Sequence, residues 1–209
     1  MSIVFALAAF VPSSPAQIAF CSNRDGNFEI YVMDANGNKP VNLTRHPGDD
    51  FAPAWSKDGT KIAFWAIRDG KQEIYVMNAD GSNPVRLATH QKVSFDPAWA
   101  PDGKLLAFTS GDHFRHEIYT VNADGSNPIR LTNNQNHDSQ PDWSPDGTRI
   151  AFMSERDGNK EIYVMNADGS NPVRLTNDPA QDVTPAWSPD RTKIAFGSTR
   201  TGNTDVYVM

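Results

Sequence analysis

The five histidines are the residues of this sequence whose chemistry is most readily anticipated. Four of them fall within residues 90–137, as His90, His113, His116 and His137. Imidazole groups titrate near neutral pH and bind metals, so such a group is typical of a zinc site or a pH-sensitive site. Recognition of a partner and simple solvation of polar loops are the other interpretations. Of these interpretations we favour partner recognition, and we predict that the chain binds no metal and no cofactor.

The serines and carboxylates give little indication of catalysis. A hydrolase needs a nucleophile, a base and an orienting group that converge in one pocket. The serines instead recur in equivalent turns, at Ser82, Ser126 and Ser170. Carboxylates likewise recur at one strand position, at Glu29, Glu73, Glu117, Glu161 and Asp205. We predict that the chain is not an enzyme and that these acids pair with the arginines Arg24, Arg68, Arg156 and Arg200.

An internal repeat of 44 residues sets these positions. The aromatic residues mark it in three series, the tryptophans Trp55, Trp99, Trp143 and Trp187, the phenylalanines Phe20, Phe64, Phe108, Phe152 and Phe196, and the tyrosines Tyr31, Tyr75, Tyr119, Tyr163 and Tyr207. The stretch EIYVMNADGSNPVRL occurs twice, at residues 73–87 and 161–175, which is a separation of two periods. Because large rings carry most apolar burial, these series are predicted to form the core.

Each repeat reads as four short strands joined by turns. Asp-Gly pairs separate β-rich runs, as at Asp146-Gly147 and Asp168-Gly169, and glycine supplies the positive φ of such hairpin turns. The last repeat has Asp190-Arg191 instead. A calcium site at these turns is not predicted, because each loop offers only one or two carboxylates.

Repeated four-stranded sheets cannot bury both faces alone, so the units must pack on one another. Radial packing around a channel is the known solution at this period, and we predict an all-β fold, a β-propeller of about five four-stranded blades with an incomplete last blade. The repeat at residues 141–176, PDWSPDGTRIAFMSERDGNKEIYVMNADGSNPVRLT, resembles the WD-like repeat of TolB-type propeller domains. The resemblance covers about residues 18–209.

The resemblance implies a propeller that binds proteins in the periplasm or outside the cell. The same repeats also occur as non-catalytic domains attached to peptidases. The net charge of −6 and the absence of a Lys/Arg cluster argue against nucleic acid as a partner. The apolar run at residues 3–11 is too short to span a membrane. A single cysteine, Cys21, excludes an internal disulfide.

The two ends of the chain raise the question of how a ring would close. Residues 1–17 are interpreted either as the innermost strand of the first blade, with Phe10 in place of tryptophan, or as a segment derived from a secretory signal. The propeller domain is assigned to residues 18–209. The last blade lacks an outermost strand, and an unpaired edge invites pairing. Association of chains there, or a larger ring of which this chain is a part, is the alternative to a five-bladed ring.

Loops that differ between repeats are the candidates for function. In a propeller blade, the loop between the second and third strands and the loop to the next blade emerge on one face, which we call the loop face. All five histidines fall in these loops. The candidate partner-binding residues are His90, Phe95, His113, Phe114, Arg115, His116, His137 and Asp138, with the two phenylalanines as exposed anchors. Trp65, whose repeat slot holds different residues elsewhere, is assigned to packing.

We therefore expect a non-catalytic scaffold that presents the loop face to a protein or peptide partner. Two alternatives remain open, an accessory substrate-gating propeller of a peptidase and a lectin-like propeller that binds carbohydrate.

Overall fold

The computed structural model of the protein describes residues 16–87, 93–112 and 115–209, and all of the regular structure in these ranges is β-strand. The all-β prediction is confirmed. Most of the segment assigned to residues 1–17 lies outside the described residues, so both interpretations of it stay predictions.

The strands fall into five antiparallel units that follow the 44-residue repeat. Unit 1 contains β1 (Gln17–Ser22), β2 (Glu29–Asp34) and β3 (Val41–Asn42). Unit 2 contains β4 (Asp50–Trp55), β5 (Lys61–Arg68), β6 (Lys71–Asn78) and β7 (Val85–Arg86). Unit 3 contains β8 (Val93–Trp99), β9 (Leu105–Asp112), β10 (Arg115–Asn122) and β11 (Ile129–Arg130). Unit 4 contains β12 (Asp138–Trp143), β13 (Arg149–Ser154), β14 (Glu161–Asn166) and β15 (Val173–Arg174). Unit 5 contains β16 (Asp182–Trp187), β17 (Ile194–Ser198) and β18 (Asp205–Val208).

Within each unit, consecutive strands pair as a meander, and units 1 to 4 end in a short strand that pairs over two residues. Units 2, 3 and 4 have the four predicted strands, and unit 5 has three, with β18 at the edge of its sheet. One parallel pairing, Gln72 with Val93, links units 2 and 3. The tryptophan-bearing strands β4, β8, β12 and β16 contact one another in succession, which places them on the inner side of the array.

The core lies between neighbouring units. Ala107 and Ile118 of unit 3, for example, pack with Phe152 and Met165 of unit 4, and all four are at most 1% exposed. Equivalent clusters join unit 1 to unit 2, unit 2 to unit 3, and unit 4 to unit 5. No cluster of the described residues joins unit 5 to unit 1. Closure of the ring and the number of blades in it therefore stay predictions.

The turns have the predicted backbone geometry. Gly147 has φ +71°, and the side chain of Asp146 accepts hydrogen bonds from the Ser144 hydroxyl at 2.6 Å and from the Thr148 amide at 3.1 Å. These donors lower the pKa of Asp146 well below its usual value. Arg191, which replaces the glycine in unit 5, adopts φ +66°, and its guanidinium lies 2.9 Å from Asp146 of unit 4.

Gly169 combines a turn requirement with a contact between units. Its φ is +86°, and an added Cβ would lie 2.7 Å from the Leu131 carbonyl oxygen of unit 3. Gly103 has φ +69°, but a Cβ added to it would have no atom within 4 Å. We expect Gly103→Ala to lower the free energy of unfolding by about 1–2 kcal/mol, the cost of left-handed backbone. Gly169→Ala should cost at least about 1 kcal/mol more, because the units must also move apart. Urea denaturation of both variants measures the difference, and equal losses would contradict the contact.

Candidate functional site

A row of aromatic side chains crosses four units. We call it the aromatic stripe, and its members are Phe28, Phe51, Trp65, Phe95, His116 and His137. Phe51 stacks on Trp65 with ring centroids 4.4 Å apart, and Phe95 meets Trp65 edge-on at 6.4 Å. His116 lies 4.9 Å from Phe95 and 4.9 Å from His137. Every member is half-buried, and Phe28, Phe51 and Trp65 also pack against the core clusters between units.

The stripe runs along the loop end of the units and crosses three borders between them. Phe28 precedes β2 of unit 1 and lies 5.0 Å from Phe51 on β4 of unit 2. Trp65 on β5 reaches across to Phe95 on β8 of unit 3. His137 directly precedes β12 of unit 4. Because the stripe spans successive units, its geometry depends on the packing between units.

Register shifts in the inner strands β4 and β8 orient the rings of Phe51 and Phe95. The register of β4 with β5 shifts between Phe51 and Ala54, and that of β8 with β9 shifts between Phe95 and Ala98. Ala52 has φ +46°, just after Phe51. Bulges of this kind bend a strand and redirect side chains, and they are frequent next to functional sites.

The structure brings together part of the predicted set. Phe95, His116 and His137 are neighbours in the stripe. Arg115 is exposed, and its Nη1 donates to the Asn134 carbonyl at 3.3 Å. His90, His113 and Phe114 lie outside the described residues, so their predicted roles are untested. Phe95 is half-buried rather than exposed, because it lies within β8 between Trp65 and His116.

The assignment of Asp138 to partner binding is wrong. Asp138 is 0% exposed and begins β12, where it faces inward. Its Oδ2 accepts hydrogen bonds from Arg156 at 2.9 Å and from Asn134 at 2.6 Å. Burial raises the pKa of Asp138, and the nearby Arg156 guanidinium opposes that rise. Asp138 therefore stabilises unit 4 internally.

The predicted pairing of strand carboxylates with loop arginines is also wrong. Glu161 is fully buried and pairs with Arg174 of the fourth strand, with Oε1 and Nη2 2.5 Å apart. The loop arginines pair instead with the first residue of the inner strand, as Arg68 with Asp50, Arg156 with Asp138 and Arg200 with Asp182. The loop arginines point away from the third-strand carboxylates. Each lies over the ring of the third-strand tyrosine, as Arg156 does over Tyr163 at 4.7 Å, and its guanidinium extends toward the inner strand.

The assignment of Trp65 to packing is confirmed, because Trp65 packs against the core cluster between units 2 and 3. Sequence reasoning did not connect Phe28, Phe51 and Trp65 into one row. The available signal was variation within a repeat slot. Phe51 and Phe95 occupy a slot that holds Ser139 and Val183 in units 4 and 5. A position that is aromatic in only some units does not serve the common blade architecture.

Two acids, Asp96 and Asp142, lie on the inner strands β8 and β12. Burial raises the pKa of Asp96 and that of Asp142 to about 6 each. Asp142 accepts a hydrogen bond from the Trp187 amide of unit 5 at 2.7 Å. Its neighbour Gln140 accepts one from the Thr184 amide at 2.9 Å. These bonds tie the inner strands of units 4 and 5 together.

Residues 16–87, 93–112 and 115–209 contain no group of three or more His, Cys, Asp or Glu side chains placed to hold a metal ion. No helix in this part of the chain is long and apolar enough to cross a membrane.

Comparison with known proteins identifies relatives with this architecture. The chain is 43% identical over 44 residues to the Tol-Pal system protein TolB of Desulfosudis oleivorans, a match that covers 21% of the chain and 10% of that protein. The crystal structure of TolB from Acinetobacter baumannii is similar with a TM-score of 0.83 and 25% identity, over 92% of this chain and 50% of that one. The structure of putative TolB from Agrobacterium tumefaciens gives a TM-score of 0.82 and 26% identity, over 99% of this chain and 77% of that one.

The chain thus spans half the length of the Acinetobacter protein, and a tenth of the Desulfosudis protein is matched. The family described as "TolB beta propeller domain" matches residues 4–94, 86–169 and 130–209, which together leave only the first three residues unmatched. The repeat, the four-stranded units and the likeness to solved TolB structures agree with this match. The chain belongs to the TolB beta propeller domain family.

Proposed function

We propose that this protein is a non-catalytic propeller scaffold that captures a protein or peptide partner on its loop face, in the periplasm or outside the cell. The observation that carries the proposal is the aromatic stripe. Half-buried aromatic rings held by rigid strands are the usual anchors of protein interfaces, since they bury large areas at little cost in side-chain entropy.

The composition of the stripe favours a peptide segment as the ligand. Phe51, Trp65 and Phe95 offer ring faces and edges, while His116 and His137 offer polar edges beside them. Arg115, which directly precedes His116 in the chain, adds an exposed positive charge 3.9 Å from the Glu117 carboxylate. A segment with apolar or proline residues and a nearby acidic group would match this order of surfaces. The name of the Desulfosudis relative, a protein of the Tol-Pal system, also supports a role in protein assembly.

The test uses a displayed library of random peptides selected on the full chain. We expect the selected peptides to bind in a fluorescence anisotropy titration and to lose at least about tenfold in affinity on Phe95→Ala or Trp65→Ala, because truncation of an interface anchor costs at least about 1–2 kcal/mol. Val173→Ser changes a residue that is 56% exposed on β15 and serves as the matched control.

Three outcomes would contradict the proposal. The first is that no peptide is enriched over an empty support. The second is that enriched peptides bind the Phe95→Ala and Trp65→Ala variants as tightly as the parent chain. The third is that Val173→Ser weakens binding as much as the stripe variants do, because the loss would then not be specific to the loop face.

A further inference from the structure

One position on the outer strands holds arginine in units 2, 3 and 4 but not in unit 1. It is the second residue of β3, β7, β11 and β15, which is Asn42, Arg86, Arg130 and Arg174 in turn. Each arginine pairs with the glutamate of the neighbouring strand, at N–O distances of 3.1, 2.6 and 2.5 Å in units 2, 3 and 4. Unit 1 keeps this glutamate as Glu29, which is 3% exposed. Unit 1 thus has the buried acid, but an asparagine stands in place of the arginine that pairs with it.

Unit 4 shows how the arginine is held. The Arg174 guanidinium donates to Glu161 at 2.5 Å and to the Thr176 carbonyl at 2.6 Å. Its Nη1 also lies 3.5 Å from Asp157, which accepts a hydrogen bond from the Tyr163 hydroxyl. Two carboxylates and one backbone carbonyl therefore surround the guanidinium group.

Unit 1 keeps the acceptors of this arrangement. The residues equivalent to Asp157, Glu161, Tyr163 and Thr176 are, in the same order, Asp25, Glu29, Tyr31 and Thr44. The Tyr31 hydroxyl donates to Asp25, as the tyrosine of unit 4 does to its aspartate. This bond and the Asn42 amide lower the pKa of Asp25, so its carboxylate is charged at neutral pH. A guanidinium group in unit 1 therefore meets the same two carboxylates.

The guanidinium position of unit 1 is part of an open cavity of about 750 Å³, which is lined by Asp25, Glu29, Tyr31 and Asn42 among others. The Asn42 amide lies 3.4 Å from Asp25 and 3.3 Å from the Tyr31 hydroxyl, so this shorter side chain fills the Asp25 side of the position. The side formed by Glu29 stays open. The cavity lies within one unit, and the residue at position 42 is what distinguishes it from units 2 to 4.

The charges around Glu29 favour a cation as the ligand. Glu29 lies next to Asp50 of unit 2, which is fully buried and pairs with Arg68 at 2.7 Å. Burial raises the pKa of Asp50 to about 7, and the Glu29 carboxylate adds to the rise. One guanidinium thus serves two buried acids here, whereas the equivalent acids of units 4 and 5 have one each. A second guanidinium beside Glu29 relieves the repulsion between the two acids.

Arg24 and Arg45 also line the cavity, but each has another position. Arg24 lies over the Tyr31 ring at 4.7 Å, as the loop arginine of unit 4 does over its tyrosine. Arg45 is exposed, and its amide donates to the Asn42 side chain at 3.2 Å. Within residues 16–87, 93–112 and 115–209, the donors to Glu29 are all neutral groups, namely the side chains of Asn27 and Thr44 and the amide of His46.

We propose that the cavity of unit 1 binds a guanidinium group, which takes the position that arginine side chains fill in units 2, 3 and 4. The bound group donates to Glu29, to the Thr44 carbonyl and to Asp25. A planar guanidinium suits this set better than an ammonium group, because its forked donors reach several acceptors at once. The site lies on unit 1 and does not depend on the partner proposed for the aromatic stripe.

The test titrates Nα-acetyl-L-arginine methylamide, the arginine probe, into the full chain by isothermal titration calorimetry. We expect saturable binding to one site. The citrulline and lysine analogues of the probe should bind at least about tenfold more weakly, because one lacks the charge and the other lacks the forked donors. Free L-arginine and the peptide Gly-Arg-Gly distinguish the sources of the group. Tighter binding of free arginine indicates a small molecule, and tighter binding of the peptide indicates a partner's side chain.

Two variants place the site in unit 1. Asn42→Arg fills the position from within, as in units 2 to 4, and should abolish binding of the arginine probe while the far-UV circular dichroism is unchanged. Asp25→Asn changes an exposed residue and should weaken binding at least about tenfold. The double variant Asn42→Arg, Arg174→Asn recreates the residue set of unit 1 in unit 4 and should bind the probe again. Phe95→Ala, in the aromatic stripe, should leave binding unchanged.

The proposal is overturned if the arginine probe does not bind, or if the citrulline analogue binds as tightly. It is also overturned if both Asn42→Arg and Asp25→Asn retain the affinity of the parent chain. Binding that appears only in an Arg45→Ser variant would likewise contradict it, because Arg45 would then be the group that fills the position.

Discussion

Replacement of Arg156 by methionine is expected to lower the free energy of unfolding by about 3–5 kcal/mol at neutral pH. Arg156 pairs with Asp138 at 2.9 Å, and the two side chains are 20% and 0% exposed. Methionine retains much of the packing over Tyr163 but leaves the Asp138 carboxylate buried without its counter-charge. Part of the loss should be recovered at pH 5, because the uncompensated carboxyl then takes up a proton more readily in the folded state.

Unit 3 provides the matched control for this prediction. It lacks both members of the pair, since Ser94 stands at the position of the acid and Asp112 at that of the arginine. The Ser94 hydroxyl lies 2.8 Å from that of Ser110. The double variant Asp138→Ser, Arg156→Asp reproduces this arrangement in unit 4 and should lose less stability than Arg156→Met alone. Urea denaturation at pH 5 and pH 8 measures both effects, and a larger loss in the double variant would contradict the account.

The combined replacement of Asp96 and Asp142 by asparagine should remove a pH dependence of stability. Burial raises the pKa of each carboxyl to about 6 in the folded chain. An unfolded aspartate has a pKa near 4. Between these values the folded state holds protons that the unfolded state has released, so the stabilisation is complete below about pH 4 and is lost as pH rises through 6.

The expected size is about 2 kcal/mol for each group, allowing for partial exposure. At pH 8 the double asparagine variant should be more stable than the parent chain, and its stability should change less between pH 4 and pH 8. Asp58→Asn is a control in which the change in stability at pH 8 has the opposite sign. The Ser56 hydroxyl lowers the pKa of Asp58, so the charged form of Asp58 stabilises the fold and its loss should destabilise it. Thermal or urea unfolding across this pH range measures the slopes. An unchanged slope in the double variant would contradict the assignment.

The regular part of this fold could be predicted from the sequence, because comparison of the repeats separates positions that recur in every unit from positions that vary. The tryptophan, phenylalanine and tyrosine series located the first, second and third strands of the units, and the Asp-Gly pairs located the hairpins. Arg191, which replaces the turn glycine in the last unit, adopts φ +66° as the glycines do. These features are local, so residue type and spacing are sufficient to infer them.

The site was predicted less well, because direction and pairing depend on three-dimensional packing. Asp138 was assigned to a loop surface, but it begins an inner strand and its side chain is buried. Two arginine series recur every 44 residues, and spacing alone does not decide whether Glu161 pairs with Arg156 or with Arg174. Phe95 and His137 were chosen for their loops. The assignment of Trp65 to packing is confirmed by its contact with the core, but its ring contacts with Phe51 and Phe95 were not predicted.

The similarity of the contacts between successive units bears on how such chains change in length. Three borders join an alanine and aliphatic face to an isoleucine and phenylalanine face, and the border between units 2 and 3 has leucine in place of the isoleucine. A tandem duplication of one repeat therefore creates a border of a kind that the molecule already possesses. Gain or loss of a whole repeat by recombination would therefore require little compensating mutation. Relatives with different numbers of repeats are the natural result, and divergence is left free to act on the few positions that distinguish one repeat from the next.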